Sequence, residues 1–121
     1  IALGAYFIFV RPPLLPEDPR YIGATLEQLR NAAPGLEGWL RIVFTVMGGF
    51  MAGAGVLTVL VSRTAVRDRT PGTGWFIALA GAATVVLMSA MNFVLHSDFR
   101  WVLSAPALLW IAAMVAYARE T

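Results

Sequence analysis

Apolar residues come along this chain in long unbroken blocks, not in the spaced pattern of a helix or strand with one wet face. Ile42 to Ser62 runs 21 residues without a charge, with Trp39 and Arg41 before it and Arg63 after it. Trp75 to Leu95 is a second uncharged block of 21 residues, and Trp101 to Ala118 supplies 18 more before Arg119 and Glu120. About 20 apolar residues carry an α-helix across a hydrocarbon core, so each block predicts a transmembrane helix: 42–62, 75–95 and 101–118. Tyr117 and several Trp residues stand at block ends, where amphipathic rings favour the headgroup zone. A shorter block, Ile1 to Val10, would reach roughly 15 Å as a helix, half of a core roughly 30 Å thick. It is expected to be the end of a first helix that starts upstream, with an uncleaved signal anchor as the alternative.

Between the first and second blocks the pattern changes. Pro12, Pro13, Pro16 and Pro19 predict an extended, kinked stretch that cannot continue a helix. Thr25 then stands three residues before Gln28, the spacing of a capping box, with Leu26 and Leu29 on one face and Pro34-Gly35 as the stop. The segment 12–38 is expected outside the hydrocarbon, carrying an amphipathic helix that lies on the membrane surface or over the helices. About 30 residues are too few for a core of their own. The expected fold is all-α: one transmembrane domain over 1–121, a polytopic helical bundle of about four crossings with a short amphipathic helix between the first and second.

Composition agrees with a lipid solvent, since 59% of residues are hydrophobic and 13% are charged. Nine basic residues, all arginine, face seven scattered acids, and no basic stripe suits nucleic acid. The absence of cysteine removes disulfides, thiolate metal sites and cysteine nucleophiles, and the one histidine, His96, cannot supply a multi-histidine centre. No cofactor or metal is expected. The connection from Arg63 to Gly74 sets Arg63, Arg67 and Arg69 against Asp68 alone, the density that retains a short loop in the cytoplasm. Both termini are then expected in the cytoplasm, with 11–41 and the turn 96–100 on the opposite side.

Two groups of residues carry candidate contacts. Gly49 and Gly53 form a GxxxG pair, Gly48 and Ala52 repeat the spacing beside it, and the next block answers with Gly74, Ala78, Gly81 and Ala82. Such small-residue faces admit another helix at short range, within the chain or from a partner. Ser89, Asn92 and His96 stand at i, i+3 and i+7 and share one helical face, with Asp98 just beyond. That row reads either as hydrogen-bonding glue between helices or as a small polar pocket in which His96 and Asp98 bind a ligand or move a proton. Further along, Pro106 removes the amide that would bond the Val102 carbonyl, and Ser104 is placed to bond a freed group. The remaining possibility puts Pro106 in a first helical turn.

The stretch Pro16-Glu17-Asp18-Pro19-Arg20-Tyr21 and the passage from Asn92 to Trp101 resemble small bacterial inner-membrane proteins of unassigned function. The resemblance implies a four-helix, multi-pass protein of the cell inner membrane and transfers no catalytic residue. No phosphate loop, dinucleotide glycine pattern or HExxH helix is present, so no enzyme is expected. The role that fits is a non-catalytic accessory or structural subunit packing on the helices of a larger membrane protein. The alternatives are a small homo-oligomeric transporter or channel, and an outer-surface ligand sensor or enzyme that uses His96.

Overall fold

The computed structural model describes residues 1–120, which form helices and no strand. In chain order these are α1 (Ala2–Phe9), α2 (Asp18–Ile22), α3 (Leu26–Ala32) and α4 (Leu36–Val61), the last continued by a π-helical turn, Ser62–Val66. Then come α5 (Thr73–Val94), with a second π-helical turn at Ala82–Val86, and α6 (Arg100–Arg119). Three of them are long and apolar enough to cross a membrane: Leu36–Val66, Thr73–Val94 and Arg100–Arg119. At 1.5 Å per residue their 31, 22 and 20 residues reach roughly 46, 33 and 30 Å. The ends of α5 and α6 lie within two residues of the uncharged blocks. By contrast α4 starts six residues before its block, because Glu37 and Arg41 are good helix formers and Glu37 sits in a first turn that favours negative charge.

The chain divides into two compact units, Ile1–Ser62 and the part from Arg63 onward. In the first, α1 runs antiparallel to α4 at backbone contact. A Cβ on Gly4 would lie 2.6 Å from the Gly48 carbonyl oxygen and 2.5 Å from the Ala52 nitrogen. One on Gly48 would lie 2.7 Å from the Gly4 carbonyl oxygen, and one on Gly55 would lie 2.6 Å from the Ile1 nitrogen. Gly48, Ala52 and Gly55 therefore share the face that receives α1. Gly49 and Gly53, the GxxxG pair, lie off it: a Cβ on either meets nothing within 4 Å.

The proline-rich stretch is more helical than its composition suggests. Pro19 occupies the first turn of α2, where its missing N–H is not needed, and Asp18 Oδ2 accepts from Leu15 N–H at 2.7 Å. Gly23, at φ +80°, ends α2 in the left-handed conformation that glycine adopts without strain. The capping box forms: Thr25 N–H donates to Gln28 Oε1 at 2.8 Å and Gln28 N–H to Thr25 Oγ1 at 3.1 Å. Leu26 and Leu29 are half-buried while Glu27, Gln28, Arg30 and Asn31 are exposed, so α3 has the expected two faces. An ion pair between Arg30 Nε and Glu37 Oε1, 2.7 Å apart, ties α3 to the start of α4.

In the second unit α5 and α6 form an antiparallel hairpin whose seam sets aromatic rings on glycines. Tyr117 lies over Gly74, its Cε1 2.9 Å from where a Cβ would stand, and the Trp110 indole lies so close over Gly81 that no side chain fits there. Gly74 and Gly81 are seven residues apart, as are Trp110 and Tyr117, the repeat of a helix–helix seam. Ser89 and Ala107 are buried and Ala78 is half-buried, while Ala82, at the start of the π turn, is exposed. Near the connecting turn Phe93 meets Trp101 edge to face, centroids 5.0 Å apart. Pro106 is accommodated inside α6, which begins at Arg100. The Ser104 hydroxyl donates to the Trp101 carbonyl at 2.6 Å, one residue before the Val102 carbonyl that Pro106 deprives of its donor.

The α1–α4 contact leads to a graded expectation. Gly48→Ala should lower the thermal midpoint in detergent by several degrees, because its methyl group meets α1 backbone. Gly49→Ala should leave it unchanged or raise it, having open space and a better helix former. Equal midpoints for both variants would contradict the contact.

Candidate functional site

The polar residues singled out by spacing, Ser89, Asn92, His96 and Asp98, run along the last turns of α5 into the α5–α6 turn, and the way α5 stops decides what they can do. Leu95 N–H bonds the Met91 carbonyl at 2.9 Å, His96 N–H the Phe93 carbonyl at 3.1 Å and Ser97 N–H the Asn92 carbonyl at 3.0 Å. The last two, i to i−3 and i to i−5, are the pair of a Schellman stop, with His96 in its left-handed position at φ +52°. Helical periodicity therefore ends at Val94, and His96 leaves the face that Ser89 and Asn92 share. Ser89 is buried in the hairpin and Asn92 is half-buried, whereas His96 and Asp98 are exposed.

The bonds in this region close locally. Asn92 Nδ2 donates to the Met88 carbonyl of its own helix at 2.9 Å. His96 Nδ1 lies 3.0 Å from the Val94 carbonyl, a geometry that favours the Nδ1–H tautomer and leaves Nε2 as the acceptor. Ser97, 3% exposed, accepts from Phe99 N–H at 3.1 Å, and its carbonyl takes both Arg100 N–H and Arg100 Nη1 at 3.2 Å. The turn is thus a compact hydrogen-bonded cap joining two helices. No group of three His, Asp or Glu side chains able to hold a metal occurs among the described residues.

Two further features lie outside the residues singled out from the sequence. In the first unit Arg11 lies over the Phe44 ring, its guanidinium carbon 3.6 Å from the centroid, with Phe7 at 5.2 Å and the Pro12 carbonyl 3.0 Å from Nη1. Burial draws the Arg11 pKa below its ordinary value, opposed by the charges of Asp18, Tyr6 and Glu17; arginine remains protonated throughout. This cation–π clamp fixes where the chain leaves α1. In the second unit the Trp110 indole Nε1 is buried with no hydrogen-bond partner among the described residues. A signal for that contact was present in the matched seven-residue spacings of Gly74 with Gly81 and Trp110 with Tyr117, while nothing in the sequence pairs Arg11 with Phe44.

No protein-family model, curated protein or solved structure matches the chain. The chemistry of the turn rests on its own geometry.

Because His96 occupies a left-handed backbone position, His96→Gly should keep or raise stability, by up to about 1 kcal/mol. His96→Val, β-branched, should lower it. Thermal unfolding of both variants in detergent checks the order, and a large loss with glycine would show that the imidazole itself holds the turn.

Proposed function

We propose that the protein is an integral membrane protein that works by packing: a non-catalytic accessory or structural subunit seated against the helices of a larger membrane protein. The observation that carries this reading is the outward face of the three long helices. No more than 11% of the apolar window of any of them is buried, and Phe50, Trp75, Phe76, Val102 and Leu109 are each more than 70% exposed. Lipid or a partner helix must cover such surface. The open small-residue pair Gly49 and Gly53 beside Phe50 supports a partner helix as one of those covers. The helix α1, eight residues long, is read as part of a fourth crossing, giving a four-helix topology with α3 at the membrane surface.

A homo-oligomeric transporter is the rival, and it needs polar groups free to line a path. Instead the hydroxyls of Thr45, Thr58 and Thr84 each donate to the carbonyl four residues back, at 2.7–2.8 Å. A sensor or enzyme at the outer surface would rely on His96 and Asp98, which stand exposed on a closed turn. In the proposed orientation the arginine-dense loop 67–72 and both termini are cytoplasmic, and the 95–99 turn lies outside.

Two measurements test this. Native mass spectrometry after mild detergent extraction should find most of the chain bound to a larger membrane protein, with His96→Ala leaving the activity of that assembly near wild type. Homo-oligomers alone, with His96→Ala or Asn92→Ala abolishing solute or proton flux in vesicles, would replace the subunit reading with the transporter. For orientation, Arg67→Cys should resist a membrane-impermeant thiol reagent in intact cells while Asp98→Cys reacts; Asp98 is used because the neighbouring Ser97 is buried. The opposite labelling pattern would invert the topology.

A further inference from the structure

The two ends of the α5–α6 hairpin differ in charge and in how that charge is used. At the turn end stand Asp98 and Arg100, one acid and one base, with His96. At the other end are Arg69 and Arg119, with Glu120, and leading into it from the π-helical turn that continues α4 come Arg63, Arg67 and Asp68. One of these arginines is committed to the fold. Arg69 pairs with Glu120 at 2.9 Å, donates to the Tyr117 carbonyl at 3.3 Å and stacks over the Tyr117 ring at 4.8 Å. Those contacts, with the seating of Tyr117 on Gly74, bring the 67–72 loop and the end of α6 to one place and use up Glu120 as a counter-ion.

Arg63 and Arg67 are then left with their charge unmet. Both are exposed, one turn apart, and neither side chain makes a hydrogen bond or ion pair with another described residue. Arg63 directly follows the uncharged stretch of α4, which places it at the depth where hydrocarbon gives way to headgroups. Trp75 and Phe76, each 71% exposed, open α5 at the same end and supply the aromatic surface that settles in that zone. Guanidinium groups give forked, charge-assisted hydrogen bonds to phosphate oxygens.

We propose that this end of the hairpin is a binding surface for anionic phospholipid headgroups, with Arg63 and Arg67 as the phosphate donors and Trp75 and Phe76 buried among the glycerol and upper acyl groups. Arg69 is the positioning residue that ties the loop to α6. The inference rests on the membrane-spanning reading of α5 and α6, and is independent of any partner protein.

The test uses the full chain in detergent and in nanodiscs of phosphatidylcholine with or without phosphatidylglycerol. Native mass spectrometry should show phosphatidylglycerol retained over phosphatidylcholine. In Arg63→Gln/Arg67→Gln that preference should fall by about tenfold or more, since each arginine near an anionic surface contributes on the order of a fivefold factor. Arg63→Lys/Arg67→Lys should keep most of it, and Asp68→Asn should strengthen it. Circular dichroism should be unchanged in all three, because these side chains make no hydrogen bond or ion pair with another described residue. Equal retention of the two lipids by the wild type, or an undiminished preference in the Gln variant, overturns the proposal. So does displacement of the lipid by millimolar inorganic phosphate, which would mark a site for the free anion. Failure of the protein to enter nanodiscs would instead overturn the membrane reading beneath it.

Discussion

Hydrocarbon offers no hydrogen-bond partner, and the three long helices are built around that constraint. Their polar side chains turn back on their own backbone: Thr45 to Arg41, Thr58 to Ala54, Thr84 to Ala80, Asn92 to Met88 and Ser104 to Trp101, all between 2.6 and 2.9 Å. These bonds satisfy the side chains within their own helices, as a chain segment in lipid requires, while the Trp110 indole N–H of α6 stays buried without a partner among the described residues. What is left for association is shape. No large side chain is fully buried among the described residues, and the close contacts are glycine on backbone in the first unit and aromatic ring on glycine in the second. In lipid, where apolar surface gains nothing by leaving the solvent, dispersion at such short range is the available driving force.

The three long helices were readable because charge is costly in hydrocarbon, so uncharged blocks mark helix length with little dependence on packing. The capping box at Thr25 and Gln28 was readable for a similar reason: it is a local exchange of two hydrogen bonds that needs no tertiary partner. For contacts that depend on helix rotation, spacing supplied candidates, Gly48 and Ala52 among them, without choosing the face. The GxxxG spacing drew attention to Gly49 and Gly53, yet the face that α1 occupies is Gly48, Ala52 and Gly55, a rotation of about 100°, the angle between neighbouring residues. A string of glycines at 48, 49, 53 and 55 offers both faces, and only the position of α1 chooses between them.

The polar row at 89, 92 and 96 illustrates a different limit. Its spacing presumes a helix through His96, whereas the Schellman bonds close α5 two residues earlier and swing the imidazole away. Glycine usually marks such a stop; here a histidine accepts the left-handed conformation, so the usual signal is missing. The same happens at Arg69, at φ +51°, where the Thr70 N–H reaches the Ala65 carbonyl at 3.0 Å. The π turns at Ser62–Val66 and Ala82–Val86 have no residue signature at all, since a shift from i−4 to i−5 bonding changes no side-chain requirement.

These two glycine-free stops give the α5–α6 hairpin its polarity. A left-handed residue projects its side chain away from the helix it ends, and in both places that residue bears or can bear positive charge. At the turn end the imidazole Nδ1 lies beside the Val94 carbonyl, and Arg100 Nη1 bonds the Ser97 carbonyl. At the other end the projected Arg69 reaches across to Glu120 and Tyr117, so the same backbone device becomes a strap between the loop and α6. One end is therefore fastened largely by backbone hydrogen bonds, with Asp98 and Arg100 as its charges. The other is held by an ion pair flanked by further arginines, and moving it through hydrocarbon would strand every one of them. The sided charge of the hairpin follows from how its two ends are fastened.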